Sequence, residues 1–487
     1  MASVADNDWW CWIVLIGTFY INFAVDGYGF SFGILKLAIE KDYGPNSTQP
    51  VDKNNIAIIG GLYPCLYALL APIAFGLIAV FSVRTLTICG SLLSCASFAL
   101  ACANQYFQLG YAFDLIFLGI TQGVAAAFLF GPSVNAIPTY FDPKRKAMAT
   151  GITTCGAPAG AMFYGFVLQK LIDALGWRGA LLFFSGAALL ISLAGLTFVP
   201  KTPKNIVEKS FPDEEKNDEN LYASSLLPPA LELVEEPTGT PLTKRLADEF
   251  RNIFSVELFT DKHFITLLLA ISCSMLGFFV PIILLPGQSR SPEYNVDEDV
   301  QMLMVTLWGL AQLIGRVTFG SLADFGRYTL LCSSLVLYGS GLVLSAIGVI
   351  IFPLVMHHGN IAFIVFSMYY GFFSAPFITL QSTIVQDLYW DKHRLIASSF
   401  GWVLAAAGIV IVAGFYLPSK FFYLIYFMSV EYYFVIYLGV LNGFQPLYAY
   451  LFAAGAFLCS AFFVSLTLPR FLKTYRKKVE HMKKMDQ

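Results

Sequence analysis

Apolar stretches of twenty or more residues recur along almost the whole of this 487-residue chain, separated by short polar joints. As a helix, such a stretch matches the roughly 30 Å hydrocarbon thickness of a bilayer, where only helices and closed barrels satisfy their own backbone. The two-residue alternation of a barrel strand is missing, so the pattern predicts an all-α polytopic membrane protein. Composition agrees: 57% of the residues are apolar, 13% are charged and the mean hydropathy is +0.66. A soluble domain carries about twice that charge fraction.

Twelve spans are expected, near 12–38, 55–80, 84–103, 107–135, 146–171, 178–199, 263–285, 299–322, 328–352, 359–385, 394–416 and 446–468. Between the sixth and seventh lies a segment rich in Pro, Glu, Asp and Lys, expected to be disordered at its centre. The chain thus divides into an N-terminal six-helix half (1–199), a linker (200–262), a C-terminal six-helix half (263–468) and a basic tail (469–487). One stretch, 420–444, is apolar enough to span but carries Glu431 at its centre. A thirteenth span would put the basic tail outside, so 417–445 reads as an aromatic-rich outer loop lying on or in the interface.

Charge placement sets the orientation. With both termini cytoplasmic, 22 of the 30 Lys and Arg fall inside, among them Arg84, Lys144, Arg145, Lys146, Arg327 and the seven of "RFLKTYRKKVEHMKK". The outside receives Lys41, Lys53, Arg178, Arg290 and Lys420. The N-x-[ST] sequon at Asn46 falls in the first outside loop, which makes Asn46 a glycosylation candidate. The N-terminus, with Asp6 and Asp8, lacks the positive region of a cleavable signal. The first span is therefore expected to act as its own signal.

Eight of the nine cysteines lie within apolar spans, where a thiol behaves as a small hydrophobe. No cysteine or histidine grouping has metal-ligand spacing, and no nucleophile–base pair is visible. No enzymatic chemistry, cofactor or nucleic-acid partner is expected; the partner that the composition demands is the lipid bilayer.

Two joints carry organised motifs. "GSLADFGR" (320–327) follows the eighth span, and "GLIAVFSVRTLTICG" (76–90) occupies the equivalent place in the first half, without the Asp. Gly320 permits close helix approach, Asp324 is placed to cap or pair at the helix end, and Arg327 supplies the partner, with Arg84 as counterpart in the first half. The residues "TYFDPKRKAMATGITTCGAPAG" (139–160) open the fifth span. There Gly151, Gly156 and Gly160 make a small-residue face suited to tight helix packing, and Pro158 is placed to kink it.

These features resemble known families. Six spans, a polar linker and six spans, with the "GSLADFGR" joint, resemble the major facilitator superfamily. That resemblance implies that Gly320, Asp324, Arg327 and Arg84 brace one conformation of a rocking transporter. The entry to the fifth span is similar to that of the monocarboxylate transporter family (solute carrier family 16), through Tyr140, Phe141, Lys144, Arg145, Gly151 and Gly156. "NDWWCW" (7–12) and "INFAVDGYGFSFGIL" (21–35) resemble the same family's start.

One charge stands deep in a span. Arg316 lies eight residues, about 12 Å, inside the helix from Asp324. Membrane arginines face a cavity or a partner, and a guanidinium holds a carboxylate by two parallel hydrogen bonds. Gln312 and Trp308 precede Arg316 at one and two turns, so the three share a face. In the proton-coupled lactate carriers of the resembled family, the corresponding arginine binds the substrate carboxylate and an aspartate one turn earlier carries the proton. Here that place holds Gln312, which does not titrate, and the lysine of the family's first span has no match.

Asp26 is the other deep charge, expected either to serve as counter-ion of the empty site or to make a structural polar contact. Tyr28, Phe30 and Asn135 are further candidates to line a substrate path, whereas Asp114 is expected to be interfacial. The reading is a plasma-membrane carrier of a small organic carboxylate, monocarboxylate or amino-acid-like, working by alternating access as facilitated diffusion or exchange. Its alternatives are a proton-coupled symporter and a non-transporting sensor or scaffold. The resemblance also implies a possible single-pass immunoglobulin-like chaperone.

Overall fold

The computed structural model describes residues 9–43, 51, 53–107, 109–141, 145–199, 242–289, 294, 296–326, 329–390, 392–416 and 446–485. Asn46, Lys144, Arg327, the linker centre and the loop 417–445 lie outside the described residues. Among the described residues every regular element is helical. Nine helices are long and apolar enough to cross a membrane, or ten if the pair Ile58–Leu69 and Ala71–Ile78, bent by 44°, is one span. One of the nine, Lys146–Thr197, carries two expected spans, and the expected eleventh appears as the shorter apolar helix Leu395–Ile409. The protein is a multi-pass membrane protein. Its residues form two compact units, 1–260 with 388–405, and 261–387 with 406–487.

The first unit contains α1 (Trp10–Asp42), α2 (Lys53–Leu69), α3 (Ala71–Phe107), α4 (Tyr111–Asp114), a π-helical stretch Leu115–Thr121, α5 (Gln122–Tyr140), α6 (Lys146–Thr154) and α7 (Gly156–Thr197). Two long helices turn on themselves, α3 at Ser82 (φ 70°) and α7 at Gly176 (φ 71°). The Ser82 hydroxyl accepts the Thr85 amide at 3.3 Å, capping the helix that restarts there.

Small residues set the closest crossing, as the sequence led one to expect. A Cβ at Gly156 or Gly160 would collide with the Phe19 or Phe23 carbonyl oxygen of α1. Pro158 has no N–H for the Thr154 carbonyl, which is where the helix breaks, at Cys155 between α6 and α7. Above this crossing Tyr28 is enclosed by the rings of Phe32, Tyr63, Phe98 and Phe184.

The last part of the linker, residues 242–260, is helical: α8 (Leu242–Ile253) and α9 (Val256–Thr260). Ile253 is 2% exposed, and its carbonyl accepts from Trp402 Nε1 at 2.8 Å and Ser398 Oγ at 3.0 Å. Phe254 and Phe259 pack on the Trp402 ring, with centroids 5.4 and 5.1 Å away. Apolar burial and a capped carbonyl tie this polar-linker end to the unit.

The second unit is built from α10 (Lys262–Ser289), α11 (Glu298–Phe325), α12 (Ser334–Val355), α13 (Asn360–Ser374), α14 (Pro376–Thr379), α15 (Gln381–Leu388), the end of α16 (His393–Tyr416) and α17 (Pro446–Met485). α10 and α17 are joined by Thr266–Thr467 (2.8 Å) and by Ser460 donating to the Ala270 carbonyl (2.6 Å). α17 runs without interruption from the last span into the basic tail. There Phe471, Tyr475 and Val479 are buried at four-residue intervals, and Lys478 pairs with Asp387 at 2.5 Å.

Candidate functional site

The three candidates on α11 fall together. A Cβ on Gly371 of α13 would come within 2.6 Å of the Trp308 carbonyl oxygen, so the absence of a side chain there lets α13 lie against α11. One turn further along α13, Ser374 reaches Gln312. Ser374 is held at the helix end because Pro376 stops the ladder after it. Its hydroxyl donates to the Tyr370 carbonyl at 2.5 Å and accepts from Gln312 Nε2 at 2.8 Å. That leaves the Gln312 oxygen turned to Arg316, whose Nε donates to it at 3.2 Å.

Gln312 is fully buried and Arg316 is 2% exposed. The amide therefore orients the guanidinium without bringing charge to it, as an aspartate would. Trp308 stands one turn before Gln312, its ring 6.4 Å from that of Phe278, and its indole nitrogen is sealed without a hydrogen-bond partner. Cation, amide and aromatic ring on one helix face suit a carboxylate with an apolar body.

The other candidates for a substrate path belong to the first unit. Asp26 is half-buried and acts electrostatically on Tyr63 and Tyr67. Tyr28 is 1% exposed within the aromatic cluster, whereas Phe30 lies in an exposed apolar stripe with Ile16 and Leu37. Asn135 is half-buried on α5. Of the brace, Gly320 is buried and Asp324 half-buried at the end of α11, while Arg84 lies close enough to Tyr140 to act on it electrostatically. Tyr140, Phe141, Gly151 and Gly156 of the motif are buried, and Arg145 is exposed at the start of α6. Among the described residues no group of His, Cys, Asp or Glu is arranged to hold a metal.

Asp114, expected to be interfacial, lies among helix ends and is fully buried within the protein. Its carboxylate accepts from Tyr43 (2.7 Å) and Asn104 (2.8 Å) and pairs with Arg178 at 3.5 Å. Burial, then the bond to Asp114, pushes the Tyr43 phenol well above its usual range, so it remains a donor. Arg178 also meets the Ala101 carbonyl and stacks 4.1 Å above the Trp177 ring. Reading Arg178 only as an outside loop charge missed this. The available signal was Asp114 itself, since a carboxylate in a span needs a cationic or hydrogen-bonding partner. Ser374 gave no such signal, being an ordinary serine from another helix.

Comparison with known proteins follows the same lines. Residues 12–291 match the family model described as Major Facilitator Superfamily. Monocarboxylate transporter 12 of Mus musculus is 24% identical over 396 residues, covering 80% of this chain and 75% of that protein. Monocarboxylate transporter 9 of Rattus norvegicus is 24% identical over 453 residues, covering 82% and 84%. The solved structure of the proton:xylose symporter XylE superposes with a TM-score of 0.61 at 11% identity over 96% of both chains, a likeness of fold alone. With a family match over more than half of its length on an all-helical multi-pass frame, the chain belongs to the major facilitator superfamily and is a membrane transporter.

Proposed function

We propose that this protein carries a small organic carboxylate across the plasma membrane by alternating access, as facilitated diffusion or exchange, with Arg316 as the carboxylate ligand. The observation that carries the reading is the Ser374–Gln312–Arg316 relay, which points a neutral amide oxygen at a buried guanidinium. The amide fixes the direction of the guanidinium without itself bringing a charge to it. It also offers no proton to couple, which favours uniport or exchange over symport. The similarity to monocarboxylate transporters 9 and 12 supports an organic anion as the substrate class. The test is initial uptake of a panel of radiolabelled carboxylates at two pH values, with surface protein quantified. Transport with little pH dependence supports the reading; no uptake by protein at the surface overturns it in favour of a sensor or scaffold.

Gln312→Asp and the isosteric Gln312→Glu place a carboxylate against Arg316. Neutralising the guanidinium is expected to slow uptake roughly tenfold or more at neutral pH. Protonation at lower pH removes that competition, so uptake in these variants should rise as pH falls; a flat pH profile refutes the assignment of the coupling position. The orientation has its own check. Glycosidase should shift the mobility of the wild type but not of Asn46→Gln, and the lack of any shift removes this support for an outside first loop.

A further inference from the structure

The basic run near the C-terminus is divided by the structure between two tasks. Lys478 turns inward: its ammonium meets Asp387, which is 4% exposed and also accepts from Ser334 at 2.5 Å. Arg470 pairs with Asp261 at 2.7 Å. Together with Phe471, Tyr475 and Val479, these contacts fix one face of the helix against the second unit. Lys473, Arg476, Lys477 and Lys483 are left on exposed positions, with Glu480 the one acid among them.

Lys473, Arg476 and Lys477 are spaced i, i+3, i+4, so their Cβ atoms lie about 5–6 Å apart on one face. Like charges so placed repel each other, and an anion bound between them would offset that repulsion. A tail that served only to satisfy charge asymmetry across the membrane would not need a docked helix to hold three cations in one array.

The continuity of α17 places this array. The apolar part, 446–468, is long enough to cross the hydrocarbon core, and the headgroup layer adds about 5–7 Å on each side. Lys473 follows Pro469 by about 6 Å and Lys477 by about 12 Å of helix, and both side chains are long enough to reach back. The array thus stands beside lipid phosphates, not in the bulk.

We propose that Lys473, Arg476 and Lys477 form a binding surface for the headgroup of an anionic phospholipid in the leaflet where α17 emerges. Such lipid supplies the negative charge that Glu480, one acid against three cations, does not balance on this face, and holds the end of α17 at the membrane. The surface is separate from the α11 site and does not depend on the transported substrate.

The test uses the purified full-length protein in neutral phosphatidylcholine nanodiscs, doped with phosphatidylserine or phosphatidylinositol 4,5-bisphosphate. Lipid retention is measured by native mass spectrometry. Wild type should retain the anionic lipids over phosphatidylcholine, more weakly as salt rises. The triple variant Lys473→Gln, Arg476→Gln, Lys477→Gln should lose on the order of 100-fold in affinity, three charges each contributing about tenfold or less. Lys473→Arg with Lys477→Arg should keep it, and Lys244→Gln with Arg245→Gln on α8 should leave it unchanged. Equal retention by the triple variant, or no preference over phosphatidylcholine, overturns the proposal. So does soluble inositol trisphosphate that binds as tightly in detergent as the lipid does, since the ligand would then be a free phosphate.

Discussion

Arg316→Ala is expected to abolish carboxylate uptake, lowering kcat/KM on the order of 100-fold or more, while leaving the amount of protein at the surface unchanged. The two outcomes separate because of where the charge sits. Arg316 is 2% exposed on α11, so the loss is read at the site, and the surface amount is measured beside it. Gln312 stays in place after the loss, since Ser374 still holds its nitrogen at 2.8 Å. What disappears is a planar pair of donors matched to a carboxylate. Arg316→Lys keeps the charge without the fork and should fall in between, about tenfold below wild type. Initial rates normalised to surface-biotinylated protein decide the matter, and normal uptake by Arg316→Ala refutes the ligand role.

The parts of this molecule that were legible in the sequence are those whose cause is local. Span positions follow from the bilayer's demand for internally satisfied backbone, which leaves an uninterrupted apolar run. The Gln312–Arg316 contact is one helical turn, so spacing alone announces it. Gly156, Gly160 and the break at Cys155 were readable from small residues and a proline within ten positions.

Contacts that depend on which helices meet were not legible. Ser374 is 62 residues from Gln312, and no periodicity marks it as the residue that sets the amide's orientation. Lys478 looks like its neighbours Arg476 and Lys477 in the run, yet only it faces Asp387. Tyr28 and Phe30 were candidates of equal standing. Two residues apart on a helix point to opposite sides, and the structure puts one in an aromatic core and the other in an exposed stripe.

Arg178→Ala is expected to destabilise the first unit by about 3–5 kcal/mol, the cost of leaving a buried carboxylate without its cation. Asp114 is fully buried, so no solvent screens it, and without Arg178 it retains only the neutral donors Tyr43 and Asn104. The substitution also removes the bond to the Ala101 carbonyl and the stack on Trp177. Four segments meet at this point: the end of α1, the end of α3, the end of α4 and the turn at Gly176. Weakening it should therefore lower the thermal stability of the detergent-solubilised protein and the yield at the surface, not merely loosen a loop. The double variant Arg178→Ala with Asp114→Asn is the decisive comparison. Asparagine keeps its oxygen as the acceptor for Asn104, can donate its amide to the Tyr43 hydroxyl and carries no charge, so the double variant should recover much of the stability lost by the single one. Arg178→Lys keeps the charge and loses the fork that spans Ala101, Tyr43 and Asp114, and should fall between them. An unchanged melting temperature in Arg178→Ala, or a double variant no more stable than the single, means that the pair does not hold these four segments together.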